Sequence, residues 1–231
     1  MPSSRPHTSH KTSGNKKSQW AAKQNRDPFV RQARSQGLRA RSVFKLEQID
    51  RKHHLIKPNS KIVDLGSAPG SWSQYAASKV VGSNQIVGVD LLPMKEIAKV
   101  RFIQGDFCDR DTQRRAMDHF GDCFGDSKID LVLSDMAPNI TGIRSTDQAN
   151  AAQLQDAILA FCRHALKARG RVLTKLFEGE SVGFVRTRFI EHFDQVQMVK
   201  PDASRAESRE VYLLARGFKL DSSRPDSSRP D

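Results

Sequence analysis

Apolar positions along the chain recur with two periods. Runs rich in Val, Ile and Leu at 61–65, 86–92, 101–104, 129–134 and 171–177 suit strands buried on both faces. Between them lie helix-compatible stretches at 71–80, 94–98 (a short one), 110–120 and 147–168. In the last of these, Leu154, Ile158, Phe161, Cys162, Ala165 and Leu166 share one face, and Gly170 is placed as its C-terminal stop. Strands alternating with helices predict a mostly parallel, doubly wound sheet of the α/β class. A further helix at 181–192 precedes two more strands, at 195–200 and 210–216. Only nine residues separate those strands, too few for a helical crossover, so an antiparallel hairpin is expected to close the sheet.

Upstream, Asp27-Pro28 is a helix-start signal, an N-cap residue followed by proline at the first helical position, and Gly37 should end that helix after Gln36. A second helix begins near Ser42, with Val43, Leu46 and Ile49 as its apolar stripe. Lys45 flanks the stripe, so its stem can pack while its ammonium reaches elsewhere. Residues 1–26 are polar, basic and almost without apolar side chains, which predicts a disordered basic arm. The doubled Asp-Ser-Ser-Arg-Pro of residues 221–231 reads as a disordered low-complexity tail. The span 27–220 is left as a single domain.

Charge sharpens this picture. Of the net +12 on the 231 residues, +10 falls within 1–52, where thirteen Lys or Arg face only Asp27, Glu47 and Asp50. Such concentration points to an anionic partner, nucleic acid or a membrane surface; if the partner is RNA, this region is expected to grip it with help from Arg205 and Arg209. No apolar run approaches the roughly 20 residues of a membrane span, and the N-terminus lacks the apolar core of a signal peptide. A cytoplasmic protein is expected, without membrane contact. Cys108, Cys123 and Cys162 are odd in number and widely spaced, and no Cys/His cluster occurs, so neither a disulfide framework nor a metal site is expected.

The candidate chemistry centres on Lys61-Ile-Val-Asp-Leu-Gly-Ser-Ala-Pro-Gly-Ser-Trp72, a strand running through a glycine turn into a helix start. In α/β proteins this is where nucleotide-like ligands bind, although an ordinary turn has the same outline. Asp90, Asp106 and Asp135 follow the second, third and fourth strands, so all three should converge on the carboxyl edge of the sheet beside that turn. Alanine and serine replace the second and third glycines of the dinucleotide fingerprint, and the turn carries no Lys or Arg. A ligand with a cationic centre and no phosphate fits better. S-adenosylmethionine has that character, with ribose hydroxyls for Asp90, an adenine amino group for Asp106, and a sulfonium and amino group close to Asp64 and Asp135.

Asp64-Leu-Gly-Ser-Ala-Pro-Gly-Ser-Trp-Ser-Gln-Tyr75, Asp90-Leu-Leu-Pro-Met94, Gln104-Gly-Asp-Phe107, Ser134-Asp-Met-Ala-Pro-Asn139 and Lys200-Pro-Asp-Ala-Ser-Arg-Ala-Glu-Ser-Arg-Glu-Val-Tyr212 together closely resemble the FtsJ/RrmJ family of methyltransferases. The resemblance covers residues 27–218. It implies a Rossmann-like fold, S-adenosylmethionine as cofactor, and methylation of the ribose 2′-oxygen of a uridine in 23S ribosomal RNA, with the large ribosomal subunit as partner and the enzyme a monomer. Carried over residue by residue, it assigns Lys45, Asp135, Lys175 and Glu210 to catalysis and Gly70, Trp72, Asp90, Asp106 and Asp135 to the cofactor. Two departures stand out, Ser71 in place of a glycine and Glu178-Gly-Glu-Ser181 where Gln-Gly-Glu-Gly is common. Alternatives within the family are transfer RNA and messenger-RNA cap methylation. Outside it, a nicotinamide-dependent oxidoreductase would share the fold and Asp90, and a non-catalytic RNA-binding protein would explain the basic arm.

Overall fold

The computed structural model describes residues 27–121, 128–138, 141–179, 181–205 and 207–220; the arm at 1–26 and the tail at 221–231 lie outside them. In chain order the elements are α1 (Pro28–Ser35), α2 (Val43–His53), β1 (Ile62–Leu65), α3 (Ser71–Lys79), β2 (Ile86–Asp90), β3 (Val100–Gln104), α4 (Arg110–Asp118), β4 (Ile129–Ser134), α5 (Arg144–Ala165), β5 (Leu166–Phe177), α6 (Ser181–His192), β6 (Phe193–Val199) and β7 (Glu210–Phe218). The sheet runs β3-β2-β1-β4-β5-β7-β6. Strands β1 to β5 are parallel, and β7 is antiparallel to both β5 and β6. The expected architecture is present, with the last strand inserted between the two that precede it.

Alternation along the strands divides the apolar side chains between two cores. Val63, Val132, Val172, Leu176, Val211 and Leu213 point to one face, where they meet Ala116, Ile158, Phe161 and Phe189 of α4, α5 and α6. Ile62, Leu131, Leu133, Leu173, Tyr212 and Leu214 point to the other, against Val43, Leu46, Ile49, Trp72 and Tyr75 of α2 and α3. Both faces of the sheet are therefore covered, as parallel strands require.

Local chemistry sets most of the boundaries. Asp27 caps α1 by accepting from Phe29 N at 3.0 Å, Pro28 opens it, and Gly37 takes a left-handed φ of 66° just past its end. Three expectations fail. Strand β2 ends at Asp90 and not at Leu92, because the Asp90 carboxylate accepts from Leu92 N at 2.8 Å and turns the chain. No helix forms at 94–98. The carbonyls of Lys95 and Glu96 accept from the Arg39 guanidinium at 2.8 and 2.6 Å, an alternative to internal helical bonds. Helix α5 stops at Ala165, not at 168, because Leu166 already pairs with Ile129. The register then jumps to Leu131 opposite Arg171, so residues 167–170 bulge out. Gly170 serves that bulge, since a Cβ there would lie 2.9 Å from the Lys167 carbonyl oxygen.

Buried Asp50 ties three segments of the α2 and α3 face together. Its Oδ2 accepts from the Tyr75 hydroxyl at 2.9 Å and its Oδ1 from Ile56 N at 2.8 Å. Asp50→Ala leaves both donors without a partner, a loss of about 2–4 kcal/mol of stability. Urea denaturation should show the midpoint fall accordingly; an unchanged midpoint would show that water replaces the carboxylate.

Candidate active site

The carboxyl ends of β1 to β4 come together through main-chain contacts. Gly66 N and Ser67 N donate to Val89 O at 2.8 and 3.1 Å, and Gly105 N donates to Asp90 O at 2.9 Å. Asp90 Oδ2 accepts from Ala68 N at 2.9 Å, which leaves lone pairs of the carboxylate for further donors. Asp106 is exposed and accepts from Cys108 N at 2.9 Å. On the other side, Gly66 has a φ of 71°, and a Cβ there would fall 2.5 Å from Met136 Cγ. The glycine turn thus lies directly against the segment that carries Asp135.

Gly70 caps α3 with a φ of 103°. A side chain at this position would meet Ile97 Cδ1 and Met94 Sδ at 2.7 Å each. Arg39 fastens the two loops, donating to Pro69 O at 2.9 Å as well as to Lys95 and Glu96. Trp72 is spent on the core: its indole N–H donates to Ser42 O at 2.9 Å and its ring lies 5.7 Å from that of Tyr212. What Trp72 can offer a ligand is its backbone N–H in the first turn of α3.

Two ion pairs lie on the α2 side of the same edge. Lys45 Nζ donates to Glu210 Oε2 at 2.6 Å, and Lys175 Nζ is 3.2 Å from Asp135 Oδ1 and also donates to the Asp135 carbonyl. Lys175 is opposite Tyr212 in the β5–β7 ladder and Phe177 is opposite Glu210, so alternation places Lys175, Glu210 and Tyr212 on one face. The Tyr212 hydroxyl donates to Asp135 Oδ1 at 3.0 Å. Burial works to raise the Glu210 carboxyl, but the hydrogen bond and charge of Lys45, with the charge of Lys175 behind them, bring it below the usual range. Glu210 is therefore held in its ionised form at neutral pH.

Asp64 departs from expectation. It is fully buried and accepts from Ser73 Oγ at 2.6 Å, so it lies beneath the glycine turn and not on the surface shared by Asp90, Asp106 and Asp135. Its Oδ1 and the Ser67 hydroxyl are buried with no hydrogen-bond partner. Burial, opposed by the Ser73 hydrogen bond and aided by the charges of Asp135 and Asp90, pushes its pKa up to about 7.

Residues 38–218 match the family of FtsJ-like methyltransferases. The chain belongs to that family. Among curated relatives, proteins called ribosomal RNA large subunit methyltransferase E from Marinobacter nauticus, Cupriavidus necator and Janthinobacterium sp. (strain Marseille) are 44%, 43% and 41% identical. Each alignment takes in 87% of this chain and 94–95% of the relative. A crystal structure described as that of a ribosomal RNA methyltransferase from Plasmodium falciparum superposes with a TM-score of 0.66 at 28% identity, covering 78% of this chain and 98% of the other. Family membership sets aside the nicotinamide-dependent reading.

The donor set fits an adenosine ligand bearing a sulfonium. Three carboxylates, a glycine turn pressed between neighbouring loops and the first turn of α3 face one edge, and among the described residues no group of His, Cys, Asp or Glu is arranged to hold a metal ion. No described helix is long and apolar enough to cross a membrane. Sequence reasoning missed Tyr212 and Arg39. Tyr212 faces Lys175 in the β5–β7 ladder, a pairing that depends on β7 inserting between β5 and β6, and nothing in the sequence marks Arg39 as a donor to three distant carbonyls.

Asp64 yields a test of the buried turn. Because its folded pKa lies above the unfolded carboxylate value, the folded state holds its proton more tightly. The associated stability is complete below about pH 4 and is lost as pH rises toward about 7, up to a figure on the order of 4 kcal/mol. Asp64→Asn removes this titration. Whatever constant offset asparagine brings, the stability difference measured by urea unfolding should move in favour of the variant between pH 4 and pH 8; a pH-independent difference would show that Asp64 is ionised throughout.

Proposed function

We propose that this protein transfers a methyl group from S-adenosylmethionine to the ribose 2′-oxygen of a uridine in 23S ribosomal RNA, as a component of large-subunit maturation. The observation that carries the proposal is the meeting of the Lys175–Asp135 and Lys45–Glu210 pairs beside the glycine turn, in a chain 41–44% identical to relatives named as large-subunit ribosomal RNA methyltransferases.

S-adenosylmethionine supplies an electrophilic methyl on a positively charged sulfur, with a neutral thioether as leaving group. Asp90 would accept from its ribose hydroxyls and Asp106 from its adenine amino group, the backbone around Gly70 and Trp72 would lie against the nucleoside, and Asp135 would face the positively charged end. On the substrate side, Lys175 Nζ in its neutral amine form would take the proton of the ribose 2′-hydroxyl as the oxygen attacks the methyl and the carbon–sulfur bond breaks, and Asp135 Oδ1 would stabilise the ammonium that results. Lys45 and Glu210 hold the nucleotide so that its oxygen lies in line with the methyl. Orientation accounts for much of the rate in such a transfer, since a fixed approach replaces a bimolecular encounter.

Exposed Arg31 and Arg51 on α1 and α2, with the basic arm preceding them, supply cations for RNA phosphates. Two expected RNA contacts need qualification. Arg205 already donates to Asp27 Oδ2 at 3.2 Å, while Arg209 donates to Glu178 O at 2.5 Å but remains exposed, with donors to spare.

Two substitutions separate cofactor from chemistry. Asp90→Ala should weaken S-adenosylmethionine binding about tenfold to a hundredfold by calorimetry, the equivalent of about 1.5–3 kcal/mol for hydrogen bonds to a charged group. Unchanged affinity would remove Asp90 from the cofactor site. Lys175→Ala should lower single-turnover methyl transfer by about 10²–10⁴ with cofactor affinity kept within a few-fold. A rate within about threefold of the native protein would make Lys175 structural.

A further inference from the structure

Gln155, on α5, is a buried polar side chain that no step above uses. It sits where the sheet splits. Pairing between β4 and β5 ends at Ser134 opposite Thr174, after which β4 gives way to the segment bearing Asp135 while β5 continues to Phe177. Lys175 is the first residue of β5 beyond that point. There Gln155 Nε2 donates to the Lys175 carbonyl at 3.1 Å, and Gln155 Oε1 accepts from Thr174 Oγ1 at 3.0 Å.

The orientation of this amide is dictated by its partners. A carbonyl can only accept, so the nitrogen must face Lys175, and the threonine hydroxyl supplies the donor that the amide oxygen needs. Alternation sends the Thr174 side chain toward α5 and the Lys175 side chain toward α2. Gln155 therefore reaches Lys175 through its main chain alone. We propose that Gln155, braced by Thr174, is a positioning residue: it fixes the backbone of Lys175 where β4 has ceased to support it, and so aims Nζ at Asp135 and at the hydroxyl to be deprotonated.

This rests on Lys175 being the proton acceptor. At 3.2 Å the Nζ to Asp135 Oδ1 contact is at the long end of hydrogen-bond lengths, and a backbone shift of a few tenths of an ångström would weaken it. A competing role is purely internal, with Gln155 present only to satisfy the Thr174 hydroxyl. The two differ in a double substitution. Gln155→Met removes both hydrogen bonds at similar volume, and adding Thr174→Val removes the hydroxyl that would be left unpaired.

The test measures kcat, KM for S-adenosylmethionine and for large-subunit RNA, and thermal midpoints for the native protein, both variants and Lys175→Ala. Gln155→Met should lower kcat about tenfold or more while both KM values stay within about twofold. The double variant should regain the part of the lost thermal stability that came from the unpaired hydroxyl, while the Lys175 carbonyl stays without its donor and kcat stays low. A crystal structure of the double variant should show Lys175 Nζ displaced from Asp135. Recovery of kcat in the double variant, or a single variant within about twofold of native, would overturn the positioning role. Lys175→Ala keeps the two levels apart: if it retains full rate the proton-acceptor reading itself fails, whereas an inactive Lys175→Ala beside a fully active Gln155→Met sinks the role of Gln155 alone.

Discussion

The register of β7 against β5 is the constraint on which the active edge depends. Side chains along a strand alternate between faces, so a slip of one residue would send Tyr212 and Glu210 to the α5 side, leaving Lys45 without Glu210 and Asp135 without the Tyr212 hydroxyl. Two large apolar sets oppose such a slip. Val211, Leu213 and Ala215 belong to one core and Tyr212 and Leu214 to the other, and both would have to exchange places. The geometry of a few polar atoms is in this way underwritten by the packing of the whole sheet.

Much of this was legible along the chain. Asp27-Pro28 and Gly37 delimit α1 because capping and left-handed φ are local properties, and the glycine turn with Asp90 and Asp106 could be placed on one edge by counting strands. Where sequence reasoning failed, the deciding partner lay far away. Arg39 takes the carbonyls at 95 and 96 from 56 and 57 positions upstream and leaves a loop where a helix was expected. Leu166 finds Ile129 and ends α5 early. Asp64 looked like a ligand group from its place in the motif, and only the packing of Ser73 and the sheet above it shows the carboxyl sealed from view.

Charge composition was a blunter guide than it first seemed. Arg41 and Arg205 both spend their guanidinium groups on Asp27, and Arg41 also donates to Ala203 O. A carboxylate at the start of α1 thereby joins the first helix, the segment before α2 and the loop leading into β7. These arginines brace the loops at this edge more than they add free charge to its surface. Net charge counts such groups at full value, and only the contacts reveal how they are used.

Arg39 carries a consequence for how this protein can change over time. Its guanidinium joins the segment between α1 and α2 to the glycine turn at Pro69 and to the loop at 95–96. No cut downstream of position 39 yields a smaller unit in which these two loops keep their common donor. The segment between α1 and α2 cannot be exchanged for that of another protein without removing the donor that the glycine turn and the loop at 95–96 share. The start of the chain and the loops at the carboxyl edge of the sheet are in this way tied through one side chain, and a sequence that alters either has to keep this arginine or find another donor for three carbonyls.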